Sequence, residues 1–160
     1  ITITAPLSAQ SETTPKDTSN FNFSDELSKV FNTEVEVDID STIFNTHSGN
    51  MYLSEKYQAF VMLIAAPQSF ETAEKQFNEK NTKKDYKEIS KSKIKRNGKD
   101  LLFQVGLIKK DGQKMLMHIY AVAGNENTTI FITSAFTPEN EKLIAPLIEK
   151  AAMTVKLIAE

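Results

Sequence analysis

An antiparallel β-sheet meander flanked by helices on its faces, an α+β fold in one domain, is what this sequence predicts, and three observations carry the prediction. Residues 88–136 hold four strand-like segments separated by three turn signals, Asn97-Gly98, Asp111-Gly112 and Gly124-Asn125-Glu126-Asn127, which is the pattern of successive hairpins. The run from Ala59 to Ala66 is apolar throughout, as expected of a strand covered on both faces. Two segments with helical spacing, one after Pro67 and one after Thr137, supply the covering layers.

Taken in order, the elements follow from local chemistry. Ser24 caps a short helix with Asp25 and Glu26 in its first turn and Leu27, Val30 and Phe31 as its apolar stripe. From Glu34 to Asp40 apolar and acidic residues alternate strictly, which predicts a half-buried strand with Val35, Val37 and Ile39 inward. A short strand near Thr42 to Thr46, a turn at Ser48-Gly49-Asn50, a strand from Met51 to Ser54 and a long strand from Tyr57 to Ala65 come next. Pro67 and Ser69 open a helix at about Gln68 that ends near Asn81, with Phe70, Ala73 and Phe77 on one face. The meander strands are expected at about 88–96, 99–110, 113–123 and 128–136. Thr137-Pro138-Glu139 then starts a second helix with Leu143, Ile144, Leu147, Ile148 and Ala151 on one side and a kink at Pro146. Val155 to Ile158 is read as a final edge strand.

The chain has 160 residues, 40% of them hydrophobic and 25% charged, and a chain of this size buries roughly 70% of its unfolded surface without needing staples. Residues 21–160 are read as this single domain. Residues 1–20 are read as lying outside it: the small residues around Ala9 resemble the end of a secretory signal, and Ser11 to Asn20 contain nothing to bury. An exported protein, periplasmic or extracellular, is therefore expected. The longest apolar run falls far short of the ~18 residues that span a bilayer.

Composition excludes several chemistries. With no cysteine, thiol nucleophiles, redox pairs and iron–sulfur clusters are absent. Five glycines and no G-x-G-x-x-G or G-x-x-x-x-G-K-[ST] string leave no phosphate-cradling loop. No metal site and no cofactor is expected.

Charge is unevenly placed. Residues 1–79 carry 12 acids and 4 lysines, whereas residues 80–99 carry 9 basic residues against Asp85 and Glu88. On the strand 89–96, Lys91, Lys93 and Lys95 share one face, and Arg96 and Lys99 flank the turn. A stripe of this kind suits another protein with an acidic surface or an anionic membrane surface, and equally suits an edge strand protected against aggregation. Nucleic acid is excluded as a partner, because the chain has one arginine and residues 87–102 contain no aromatic stacking platform. The carboxylates of Glu34, Glu36, Asp38 and Asp40 form an acidic strand face; spread over ~20 Å, they do not converge on one ion. That face is expected to meet water or to pair with the lysine stripe.

The element order resembles that of the PsbP-like and DcrB-like proteins. The residues carrying the resemblance are the long strand 57–65 running into the helix after Pro67, the Lys110-Asp111-Gly112-Gln113 hairpin, and Thr137-Pro138-Glu139 leading into the last helix. The resemblance covers about residues 22–158. It implies an α/β/α sandwich and exported or membrane-peripheral accessory roles, with no catalytic signature to transfer.

Three functional readings follow. The first is an exported, non-enzymatic accessory protein that docks an acidic partner protein through the basic hairpin of Lys91, Lys93, Lys95, Arg96 and Lys99. The second is a carrier of a small apolar or lipid-like ligand between sheet and helix, with Tyr52, Tyr120 and His118 as pocket residues and Met51, Tyr57, Met62, Met115 and Met117 as further lining. The third is a hydrolase in which His47 or His118 serves as base and Ser48 or Thr46 as nucleophile. No G-x-S-x-G elbow supports the third.

Overall fold

The computed structural model describes residues 34–79 and 84–158. The helix expected after Ser24 and the tail of residues 1–20 lie outside the described residues. The elements are β1 (Val35–Glu36), β2 (Thr46–Ser48), β3 (Met51–Ser54), β4 (Ala59–Ala66), α1 (Phe70–Phe77), β5 (Tyr86–Arg96), β6 (Lys99–Lys110), β7 (Gln113–Asn125) and β8 (Thr128–Phe136). A 3-10 turn (Pro138–Asn140), α2 (Glu141–Thr154) and β9 (Lys156–Leu157) complete the chain.

Seven strands form one antiparallel sheet in the order β2-β3-β4-β8-β7-β6-β5. The meander is thus the one that the turn residues predict. Asn97 and Asp111 have φ of 53°, and Gly98 and Gly112 have φ of 78°. These left-handed pairs match the right-handed twist of the strands they join, which is why Asn-Gly and Asp-Gly set the register here. The third turn falls at Glu126 and Asn127, after an irregularity between Ala123 and Asn125, and lengthens β7 by two residues beyond the expected end.

Alternation along the strands sends apolar side chains to both faces. Val61, Leu63, Leu101, Tyr120, Val122, Ile130, Ile132 and Phe136 lie on one face and pack against Ile144, Ile148 and Ala152 of α2. On the other face Leu102, Ala121 and Phe131 pack against Phe70, Ala73 and Phe77 of α1. Each fully buried aliphatic side chain contributes about 1.5–3 kcal/mol, and the larger cluster, under α2, is the principal core.

Helix α1 is capped by Ser69, whose Oγ accepts from the Thr72 amide at 3.1 Å, as its sequence predicts. It ends at Phe77 rather than near Asn81. Thr137 does not cap through its side chain; its hydroxyl instead accepts from the Asn140 side-chain Nδ2 at 2.9 Å, and the same Nδ2 also donates to the Tyr57 carbonyl. Pro146 sits inside α2, which continues through it to Thr154.

Two strand expectations change. Of the predicted strand 34–40, only Val35–Glu36 pairs, because its partner is the two-residue β9 rather than a sheet strand. Val37 and Ile39 still pack inward on the principal core. Residues 156–157 accordingly form a separate two-stranded ribbon with β1 and not an edge of the main sheet. The strand expected near 42–46 is a turn followed by β2, with Phe44 buried beneath it.

Gly106, in the middle of β6, has no room for a side chain, because a Cβ there would collide with the ring of Tyr86. Tyr86 lies across this gap, and its hydroxyl accepts from the Gln104 side-chain amide at 2.5 Å. We expect Gly106→Ala to lower unfolding free energy by about 1–3 kcal/mol in urea denaturation. In a Tyr86→Ala background the same substitution should cost much less, and equal costs in both backgrounds would remove the ring as the cause.

Candidate functional site

The basic hairpin is positioned by β5, an edge strand of the sheet, and by the Asn97-Gly98 turn. Lys91, Lys93 and Lys95 pair across β6 with Gln104, Leu102 and Asp100, which puts all three on the α1 face. The Lys91 ammonium donates to the carbonyls of Phe77 at 2.6 Å and Glu79 at 3.2 Å and lies 3.2 Å from Glu88. It therefore caps the C-terminus of α1, where the helix leaves unsatisfied carbonyls and the negative end of its dipole. Lys93 meets Glu74 of α1 at 3.3 Å, and Lys95 meets Asp100 at 3.2 Å.

Arg96 and Lys99 point to the opposite face, as a cross-strand pair must. Arg96 Nε lies 3.4 Å from Glu149 of α2, and Lys99 Nζ donates to the Met153 carbonyl in the last turn of α2 at 3.4 Å. All five basic residues singled out in the sequence thus have partners within the molecule. One hairpin holds the C-terminal ends of two helices on two faces of the sheet.

The acidic strand face finds different cations from those expected. Asp38 pairs with Lys150 of α2 at 3.3 Å and Glu36 with Lys156 at 3.8 Å, and neither reaches the lysine stripe. Asp40 turns back on its own loop and accepts from Thr42, whose hydroxyl and amide hold the carboxyl below the usual carboxylate range. The Glu34 carbonyl accepts from Ile158. No group of three His, Cys, Asp or Glu suited to a metal ion occurs among the described residues.

The residues proposed as pocket lining on the α2 face are packed. Tyr120 is 2% exposed and stacks on Phe103 at a centroid distance of 4.5 Å. Burial, with Glu149 adding to it, keeps its phenol un-ionised far above the ordinary tyrosine range. His118 is 4% exposed and wedged edge-on between Phe103 and Phe136. Neither of its ring nitrogens has a hydrogen-bond partner; Nε2 is 3.6 Å from Glu141, beyond hydrogen-bond reach. Burial lowers its pKa, opposed in part by Glu141. Tyr52 is half-buried and stacks on His47 at 4.4 Å, while His47 Nε2 lies 2.6 Å from the Gly49 carbonyl. The hydrolase arrangement asks for a histidine on a hydroxyl, and neither ring is placed that way.

The other face holds what these residues were expected to provide. The register places Met51 beside Met62, Leu53 beside Phe60, Phe60 beside Ala135, Ala135 beside Met117, and Met115 beside Ile108. All share the face of α1, yet the eight-residue α1 reaches only the rows around Leu102, Ala121 and Phe131. Among the described residues no other helix covers the rest. Met51 and Leu53 are each 39% exposed, and Phe60, Met62, Met115, Met117 and Ile119 remain partly open. Four of the five methionines of the chain lie here.

Two clefts lie at the end of this face farthest from α1. One, of about 350 Å³, is lined by Leu53, Ser54, Glu55, Phe60, Met115 and Ala135, among others. The second, of about 400 Å³, is lined by Gln58, Ile108, Asp111, Gln113 and Met115, and Gln58 and Met115 belong to both. The methionines are legible in the sequence as possible lining. Leu53, Phe60 and Ile108 are not, because which of two apolar faces a helix leaves bare depends on helix length and placement.

No protein-family model matches the chain, and no curated protein is similar to it in sequence. Solved structures do resemble it. LpqN, described as involved in cell envelope biogenesis of Mycobacterium tuberculosis, superposes with a TM-score of 0.52 at 7% identity over 78% of this chain and 83% of that one. A Bacteroides thetaiotaomicron VPI-5482 protein gives a TM-score of 0.50 at 12% identity over 72% of this chain, which spans only 41% of the other. The cyanobacterial PsbP (CyanoP) of Synechocystis sp. PCC 6803, from the family that the element order resembles, is also similar, with a TM-score of 0.44 at 7% identity over 79% of this chain and 94% of that one. The α+β antiparallel fold is shared; at these identities nothing more is.

Two predictions test the side chains placed above. Lys91→Ala leaves helix-end carbonyls without their cation and should cost about 1–2 kcal/mol, with faster amide exchange in α1, whereas Lys95→Ala at the exposed pair should change stability very little. If both variants behave alike, Lys91 is not a cap.

For His118 the folded pKa lies below the unfolded one of about 6.5, so the unfolded chain binds the proton more readily. Its contribution is complete above about pH 6.5 and is lost as the pH falls from there through the lower folded value. His118→Leu should flatten that slope in thermal melts between pH 7.5 and 5 and, by removing two unsatisfied buried nitrogens, stabilise the protein at pH 7.5 by about 1 kcal/mol. An unchanged slope would place the titration elsewhere.

Proposed function

We propose that the protein is a non-enzymatic, exported binding protein that holds a small apolar or lipid-like ligand on the part of its sheet that α1 leaves uncovered. The observation that carries this reading is the set of methionines 51, 62, 115 and 117 and the side chains of Leu53 and Phe60, partly open on one face above a cleft of about 350 Å³. Pockets of ~300–1,000 Å³ with apolar walls suit small molecules, and methionine adapts to irregular apolar partners.

Export is supported by the fold likeness to LpqN, a protein described as involved in cell envelope biogenesis. A fold likeness alone is a weak functional warrant, so the site carries the proposal. No helix among the described residues is long and apolar enough to cross a membrane.

Docking of an acidic protein through the basic hairpin is the less favoured reading, because Lys91, Lys93, Arg96 and Lys99 meet α1 and α2 and Lys95 meets Asp100.

Methyl NMR of the five methionines tests the proposal. Titration with dodecyl maltoside below its micelle concentration should shift the methyls of Met51, Met62, Met115 and Met117, leave Met153 in place, and raise the melting temperature. Met115→Gln combined with Phe60→Ser should weaken binding at least 10-fold in a protein that still folds. Uniform small shifts, or shifts at Met153, would reject the site.

A further inference from the structure

We infer that the methionines of the partly open face are sites of reversible sulfur oxidation, by which a peroxide releases the apolar ligand. The inference rests on the apolar-ligand reading above and adds its regulation. Its basis is where the chain places sulfur. The buried side chains of both core clusters are aliphatic or aromatic, and none is methionine. Met51, Met62, Met115 and Met117 stand instead on the partly open face, with Met51 39% exposed. Leucine would fill similar volume; what the thioether adds is a polarizable sulfur that can be oxidised. With no cysteine in the chain, the thioethers are its only oxidisable sulfur.

The four are grouped in pairs. Met51 and Met62 are direct cross-strand partners, and Met115 and Met117 are two positions apart on one face of β7. Cross-strand partners hold their Cβ atoms about 4.5–5.5 Å apart, so an oxygen added to Met51 lies beside Met62. Met115 lines both clefts. The fifth methionine is placed differently: Met153 packs against the principal core, and its sulfur accepts from the Asn97 side-chain amide at 3.7 Å.

In the step itself, one oxygen of hydrogen peroxide transfers to the methionine Sδ. The S–O bond forms as the O–O bond breaks, the sulfur gives up two electrons, and the departing hydroxide takes the proton and leaves as water. The sulfoxide is a polar group where a weakly polar one stood. An apolar ligand seated on it would bury that group without a hydrogen-bond partner, so affinity falls, while the buried core side chains hold no sulfur to oxidise. Return to the thioether consumes two thiols, which become a disulfide as the oxygen leaves as water. The chain has no cysteine, so those thiols belong to a separate reductase.

The test titrates hydrogen peroxide into the protein. Mass spectrometry of its peptides locates each added oxygen, and calorimetry gives the affinity for dodecyl maltoside below its micelle concentration. Met51 should oxidise first and Met153 last, and bound dodecyl maltoside should slow oxidation of the four without slowing Met153. The oxidised protein should keep a cooperative melt yet bind about 10-fold more weakly, and methionine sulfoxide reductases should restore its affinity. Whatever its starting affinity, the variant Met51→Leu, Met62→Leu, Met115→Leu, Met117→Leu should bind equally before and after peroxide.

The inference is overturned, with the apolar site left standing, if oxidised wild type binds as tightly as the reduced protein or Met153 oxidises ahead of the four. Loss of binding only together with the cooperative melt, or loss in the leucine variant, overturns it equally. Reduced protein that binds no dodecyl maltoside, with no methionine protected, overturns the apolar-ligand reading and this inference with it.

Discussion

Everything in this molecule depends on a sheet whose central strands are apolar on both sides. Residues 59–66 alternate between two apolar faces with no polar one, and β6, β7 and β8 continue both faces in register. Such a sheet is stable only where something covers each side. On one side α2, with 14 residues, meets a contiguous core. On the other, α1 has 8 residues and covers a smaller cluster. Among the described residues, the unequal lengths of two helices decide which apolar residues are core and which stay partly open.

The basic segment belongs to the same problem. A short helix forms few internal hydrogen bonds and leaves four carbonyls unsatisfied at its end, so it depends on contacts from outside. Lys91 supplies them to α1, and Lys99 does the same for α2 from the opposite face of the same hairpin. The alternation of a β-strand makes this possible: Arg96 lies an odd number of positions from Lys91 and so takes the opposite face, and Lys99 shares that face as its cross-strand partner. Nine basic residues within 20 positions suggest a surface field; several of these charges instead orient helices. Lysines on β5 also suit its place at the sheet edge, where charged side chains and the irregularity between Glu88 and Ser90 discourage pairing with another chain.

Much of the fold is legible in the sequence because the signals are local. Asn97-Gly98 and Asp111-Gly112 fix both the turn type and the register of the strands they join, and Ser69 fixes where α1 begins. The signals fail where the outcome is set by what lies across from a segment. Residues 34–40 alternate cleanly, yet only two of them pair, since β9 offers two residues. Asp38 and Glu36 meet Lys150 and Lys156 instead of the basic stripe, a match between distant segments that charge counting does not foresee. In the candidate site, the methionines stand out as adaptable apolar residues, but Tyr120 and His118 share their alternation and fill the core. Parity separates them: Leu116, His118 and Tyr120 face α2, whereas Met115, Met117 and Ile119 face the side that α1 only partly covers.

The boundary between core and partly open face can therefore be traced to a few atoms. Had α1 continued to Asn81, as its spacing suggests, another turn would follow Phe77. Instead Asn78 closes the helix with its amide on the Glu74 carbonyl at 3.1 Å, and Lys91 takes the carbonyls of Phe77 and Glu79. Lys91 pairs with Gln104, and Gln104 with Ile119, so the helix stops over the row where the partly open residues begin. Below that row Tyr86 lies on Gly106 and fills one corner, and the remainder is left to methionine, leucine and phenylalanine. An apolar surface of this kind carries an aggregation cost, which the rim acids Glu55 and Asp111 oppose by keeping charge beside it.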